Sequence, residues 1–171
     1  MRPNDMRVFL LALVLFVSAG CSSGPPSAMP DDFTATVEVR SGSTSPPDHY
    51  EWTVTLTATD ATVAWRPGDD QSTQPWTATA PVSKEARATF YDKVLSSGAF
   101  ESDQYNDDWA IGGPTMKVRA TIDGTVYESN PGRSRESQGQ FDVVHAYAED
   151  LLPADIWADF ERKQEEWGKT H

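Results

Sequence analysis

His145 is the histidine best placed for chemistry, with Asp142 three residues before it and Glu149 four after. An imidazole with a carboxylate one helical turn away can ligate zinc or act as a general base. The same spacing also makes ordinary helix-surface pairs. His49 and His171 lie before a strand and at the chain end, where both are expected to be solvated, so no second histidine completes a metal site. The acid pairs Asp69-Asp70 and Asp107-Asp108 lack the alternating oxygens and the glycine of a calcium loop, and read as solvated loop carboxylates. No serine stands in a nucleophile-elbow context, and no glycine-rich loop joins a strand to a helix. The expectation is a protein without a catalytic site, metal or cofactor. A site around His145 is the enzymatic alternative.

The aromatic residues offer a different chemistry. There are six tryptophans. Trp52 and Trp65 sit on the inward face of alternating strands and belong in the core. Trp76 and Trp109 fall in polar loops, and Trp167 ends a helix whose second half is charged from Glu161 to Glu166, which leaves it open to exposure. Such tryptophans serve as core caps, or as platforms for a partner or a sugar ring. Trp76, Trp109 and Trp167 are therefore the candidate contacts for a partner or a glycan.

Cys21 is the one cysteine of the chain. It follows an apolar run from Val8 to Val17, preceded by Arg2 and Arg7 and followed by the small residues Ser18, Ala19 and Gly20. These are the three parts of an export signal. Ten helical residues span roughly 15 Å, about half of a hydrocarbon core, which is too short for a permanent span. The run Val17-Ser18-Ala19-Gly20-Cys21 resembles the lipobox of bacterial lipoproteins, with Ser18 where leucine is usual. The resemblance implies cleavage before Cys21 and lipidation of its sulfur. The alternative is an ordinary secretory signal cut near Gly20. Each buried methylene contributes about 0.8 kcal/mol, so two or more chains anchor stably. Ser22 is not the aspartate that commonly retains lipoproteins in an inner membrane. The expected location is the periplasmic face of an outer membrane where the cell has one, and otherwise the outer face of the cell membrane.

Residues 21–32 comprise the lipidated cysteine and a flexible linker rich in proline, serine and glycine. Extended, Ser22 to Asp32 would reach roughly 35 Å. The net charge of the chain is −12, and the first twenty residues carry two arginines and one aspartate, which leaves −13 for the rest. That excess argues against nucleic acid and against docking on anionic lipid through the protein surface. The membrane contact is expected through the N-terminal lipid alone.

Residues 33–171 are long enough for one domain with one core. Period-two alternation marks strands from Phe33 to Arg40, from Tyr50 to Ala58 and across Val63 and Trp65. A turn at Thr59-Asp60 would set Leu56 opposite Val63 and Val54 opposite Trp65. Pro67 to Pro81 reads as a loop. Ser83 caps a helix whose Ala86, Phe90 and Val94 recur every four residues, and Gly98 stops it. Phe100 to Pro114 reads as a second, acidic loop. Met116 to Ile122 alternates again, and Asp123-Gly124 is a hairpin turn pairing Ala120 with Tyr127 and Arg119 with Glu128. After a polar loop to Gln138, Phe141, Val144, Ala148, Leu151 and Leu152 form the apolar face of a second helix. Pro153 breaks it, and a third helix carries Ile156, Trp157, Phe160 and Trp167. The order β-β-β-α-β-β-α-α predicts an α+β domain: an antiparallel sheet of about five strands with helices on one face.

The Trp52–Trp65 hairpin, the Ser83-headed helix, Gly98-Ala99-Phe100 leading to Tyr105, and the Met116–Tyr127 hairpin together resemble a small domain of unknown function. That family occurs in secreted and lipid-anchored bacterial proteins, and its early paired cysteines are missing here. The resemblance implies a fold and no activity. The functional expectation is a lipid-anchored cell-envelope protein of binding or structural role, which holds another envelope component. The alternative is a glycan- or peptidoglycan-binding module using the loop tryptophans. Replacing Cys21 with alanine is expected to abolish palmitate incorporation and move the protein from the membrane to the soluble fraction. Equal membrane retention in fractionated cells would refute the anchor.

Overall fold

A computed structural model of the chain describes residues 24–100, 113–129 and 138–171. The export signal, Cys21, Tyr105, Asp107-Asp108 and Trp109 lie outside the described residues, as does the side chain of Phe141. Six strands form one antiparallel sheet: β1 (Thr34–Arg40), β2 (Tyr50–Leu56), β3 (Asp60–Pro67), β4 (Trp76–Pro81), β5 (Thr115–Ile122) and β6 (Thr125–Glu128). Three helices follow the sheet's inner face: α1 (Lys84–Ser96), α2 (Gln138–Glu149) and α3 (Ala154–Gly168). The spatial strand order is β4-β3-β2-β1-β5-β6. The α+β reading therefore holds, with one strand more than five.

The extra strand is β4, in the stretch expected to be a loop. Trp76, Ala78 and Ala80 point to the helices, while Thr77 and Thr79 face out. Two alanines carry little apolar signal, and prolines at 75 and 81 mask the pattern. An edge strand tolerates Pro81 because one of its sides needs no ladder partner.

The first hairpin also differs in register. Val54 faces Val63 and Trp52 faces Trp65, two residues from the expected pairing. A shift of two keeps every side chain on its face, so apolar alternation cannot distinguish the two registers. Local hydrogen bonds decide instead. The Thr57 hydroxyl donates to the Asp60 carbonyl at 3.1 Å, and the Asp60 amide donates back to that hydroxyl at 3.1 Å. The turn residues are thus Ala58 and Thr59. The second hairpin has the expected register, with Arg119 opposite Glu128 and Ala120 opposite Tyr127. Asp123 at φ 49° and Gly124 at φ 72° make its tight turn.

Inward residues of β1 to β5 meet the helices in one core, and Tyr127 of β6 packs against its edge. Val37, Val54, Val63, Val118 and Ile122 are each at most 1% exposed. Phe33 meets Tyr91 of α1 edge-on at 4.9 Å, Trp52 lies 5.1 Å from His145 of α2, and Trp65 lies 6.1 Å from Phe160 of α3. The Ser83 hydroxyl accepts from the Ala86 amide at 3.1 Å, as its capping position predicts. Arg87 is also buried on α1, where its Nη2 donates to the Phe33 carbonyl at 2.7 Å and ties the helix to the start of β1.

The proline-rich segment is not wholly a free tether. The Tyr91 hydroxyl donates to the Pro26 carbonyl, and Met29 packs against the core. The Asp32 carboxylate accepts from the amides of Asp123 and Gly124 at 3.0 and 2.6 Å, so it caps the β5–β6 turn. From Pro26 onward the chain lies against the domain. Cys21 is then separated from the domain by at most about 17 Å of extended chain, half the expected reach. Asp32→Ala is expected to destabilise the protein by about 1 kcal/mol, as loss of a helix cap would. The neighbouring Asp31→Ala should leave the urea midpoint unchanged; equal shifts in both variants would contradict the capping role.

Candidate functional site

The site starts from a polar residue on an apolar stripe. Trp157, Phe160, Gln164 and Trp167 recur along α3 at the spacing of one helical face. Gln164 is 8% exposed, and all its amide groups are used. Its Oε1 accepts from the Trp65 indole nitrogen at 3.1 Å. Its Nε2 donates to the Pro47 carbonyl at 3.0 Å and to the His49 carbonyl at 3.1 Å. One side chain thus ties α3 to β3 and to the 3-10 turn at Pro46–Asp48.

Two glycines let these elements approach closely. A Cβ on Gly168 would lie 3.0 Å from the Pro47 carbonyl oxygen. Gly68 has φ +70°, and a Cβ there would lie 2.6 Å from the Trp167 ring. Trp167 is consequently half-buried on the turn after β3, and its outer end stacks on His171 at 4.3 Å.

Between α3 and the 3-10 turn lies an open cleft of about 590 Å³. Tyr50 and Trp65 line it, their rings stacked at 4.5 Å with an interplanar angle of 18°. Asp48, Glu161 and Glu165 bring three carboxylates to the cleft, and Lys169 brings one cation. Burial, and then the carboxylates of Glu149 and Glu161, hold the Tyr50 hydroxyl above the usual phenol value. That hydroxyl makes no hydrogen bond among the described residues. Glu149 lies behind it. Burial raises its carboxyl above the ordinary value, His145 opposes that shift, and Glu161 and Asp150 add to it.

The ion pairs of α3 fall elsewhere. Arg162 bonds Asp159 and reaches Glu166 at 3.0 Å, and Lys163 reaches Asp159 at 2.8 Å. Both helix cations are thereby engaged, while Glu161 and Glu165 have no ion pair among the described residues. Asp48 accepts from the Ser45 hydroxyl at 2.6 Å.

The residues singled out from the sequence are not gathered in one place. Trp76 belongs to edge strand β4 rather than to a loop, half-buried 6.3 Å from Phe160 with Lys163 over its ring. Trp167 sits in the last turn of α3 and does not line the cleft, although its neighbours Gly168 and Lys169 do. His145 has its Nδ1 3.6 Å from Glu149 and its ring against Trp52. No group of three metal-ligating side chains occurs among the described residues. His49 is not solvated as expected. Its side chain is 16% exposed, its Nδ1 lies 3.3 Å from the Ser41 hydroxyl, and its Nε2 is 3.9 Å from Glu51. It is enclosed because its backbone carbonyl is bonded by both Gly68 and Gln164, which draws β2, β3 and α3 together around it.

Alternation puts Trp65 in the core and the run from Glu161 to Glu166 makes a charged helix face, but no spacing in the sequence joins them into one cleft. Gln164 was the available signal: a neutral amide on an apolar helix face must have buried partners. Gln164→Ala is expected to destabilise the protein by roughly 1–3 kcal/mol, because it leaves the buried Trp65 indole N–H without its acceptor and removes a donor from the Pro47 and His49 carbonyls, the latter keeping its bond from Gly68. A urea midpoint equal to wild type would show that the amide does not fasten α3.

No known protein-family model matches the sequence, and no curated protein aligns with it significantly. The chemistry of the cleft rests on its own residues.

Proposed function

We propose that this protein is a lipid-anchored binding protein of the cell envelope, without a catalytic role, and that the cleft between α3 and the Pro46–Asp48 turn is its recognition surface. The observation that carries this reading is the cleft itself: a concave site of ligand size with an aromatic lining and a few converging polar groups. The export signal and Cys21 support the anchoring half. The short free chain before Pro26 supports a domain held close to the membrane, where an envelope component is within reach.

The glycan-binding reading moves with the geometry. Trp76 packs on Phe160, and Trp167 on Gly68 and His171, whereas Tyr50 stands half-buried on the cleft with one face stacked on the buried Trp65. A sugar in the cleft would therefore meet Tyr50 rather than Trp76 or Trp167.

Site-specific photo-crosslinking in native membranes tests the proposal. A photoreactive side chain at Glu165, on the cleft, is expected to give a discrete adduct. The same group at Thr55, on the opposite sheet face, should give none, and Cys21→Ala should abolish the Glu165 adduct. Equal adducts from both positions would remove the cleft as the recognition surface.

A further inference from the structure

The geometry points to a small aliphatic amine, held as an ammonium ion, as the ligand of the Tyr50–Trp65 cleft. This inference rests on the cleft being a binding site and assigns the class of ligand it takes.

Charge complementarity is the first argument. Three of the four charged residues lining the cleft are carboxylates. The nearest cations on α3, Arg162 and Lys163, already pair with Asp159 and Glu166 on the helix's other side. Glu161 and Glu165 are left exposed and without an ion pair among the described residues, facing a cleft that also holds Asp48. An anion would meet net repulsion here, and a neutral ligand would leave the carboxylates' field unused.

The aromatic lining selects among cations. A hard divalent ion demands a converging shell of oxygen ligands, and no three acidic or histidine side chains among the described residues are placed to share one. An ammonium on a methylene chain uses both parts of the site. Its charge meets the carboxylates, and its methylenes lie along the half-buried Tyr50 ring, which the buried Trp65 backs from behind. The cleft, about 590 Å³, lies within the roughly 300–1,000 Å³ range of small-ligand sites. Burial and nearby carboxylates keep the Tyr50 phenol protonated, so it presents a neutral ring and an O–H without a partner among the described residues.

Two sources can supply this chemistry: a free polyamine, or a lysine side chain of a peptide. The experiment separates them. The full-length protein in detergent micelles at low salt is titrated with spermidine, with a blocked tri-lysine peptide and with an N-acetylglucosamine oligomer, and tryptophan emission is followed. Spermidine is expected to bind saturably at one site. The double variant Glu161→Gln/Glu165→Gln should weaken it by about tenfold, and added salt should weaken it further, as screening of partly exposed charges requires. Both glutamates are exposed, so the variant is expected to keep the wild-type urea midpoint. A control double variant away from the cleft, Glu38→Gln/Glu85→Gln, should bind as wild type does. Tighter binding of the peptide than of spermidine would support the ammonium site and name its source as a lysine side chain. Equal weakening in the control variant would overturn the inference, since binding would then follow net charge. Saturable binding of the sugar oligomer without spermidine binding would overturn the ammonium ligand while keeping the cleft as a site. No binding of any of the three, together with no adduct at Glu165, would remove both.

Discussion

The Gln164 amide is the contact on which the packing of α3 and the shape of the cleft depend. A primary amide offers one acceptor and two donors, and here they meet an indole N–H and two main-chain carbonyls. The indole N–H is buried and has no other acceptor among the described residues, so the full set of three bonds forms only in one helix register. Moving α3 by one residue would bring Glu165, a carboxylate, to a place that needs donors. With the register held, Glu161 and Glu165 are carried to the cleft, and Gly168 is carried to a close approach on Pro47, where a Cβ would lie 3.0 Å from the carbonyl oxygen. The residue that fastens α3 therefore also shapes the cleft.

The two faces of the sheet divide the charge of the chain between them. On the outer face, Glu51 gathers Arg40 at 3.5 Å and Arg66 at 3.4 Å, and Glu128 gathers Lys117 at 2.7 Å and Arg119 at 4.0 Å. Four of the fourteen lysines and arginines are thus used where they neutralise the sheet, which leaves the helix side acidic. Exposed pairs of this kind contribute only about 0–1 kcal/mol each, so their consequence is less for stability than for the field around the cleft. The strap from Pro26 to Asp32 adds a constraint from the other end of the domain. It ends on the β5–β6 turn through Asp32, so any anchor at Cys21 acts on the folded body through a short segment.

Features that rest on neighbours along the chain are legible in its residues alone. Alternation over two residues marks β1, β2 and β5 because adjacent side chains must face opposite ways. Ser83 and Gly98 bound α1 because helix ends leave backbone groups that only nearby residues can satisfy. Asp123-Gly124 specifies its hairpin because that turn needs positive φ at two successive positions. Tertiary structure decided what alternation and caps leave undetermined. The Thr57–Asp60 register was one such choice, since a slip of two preserves every face. The strand character of Trp76–Pro81 was another, since two alanines become strand only when β3 offers its edge. The enclosure of His49 and the cleft itself needed more still. They bring together Pro47, Tyr50, Trp65 and Gln164, residues up to 117 positions apart, and a contact across that distance has no periodicity to announce it. It exists because a buried amide must find three partners, and only the closed fold holds all three within reach.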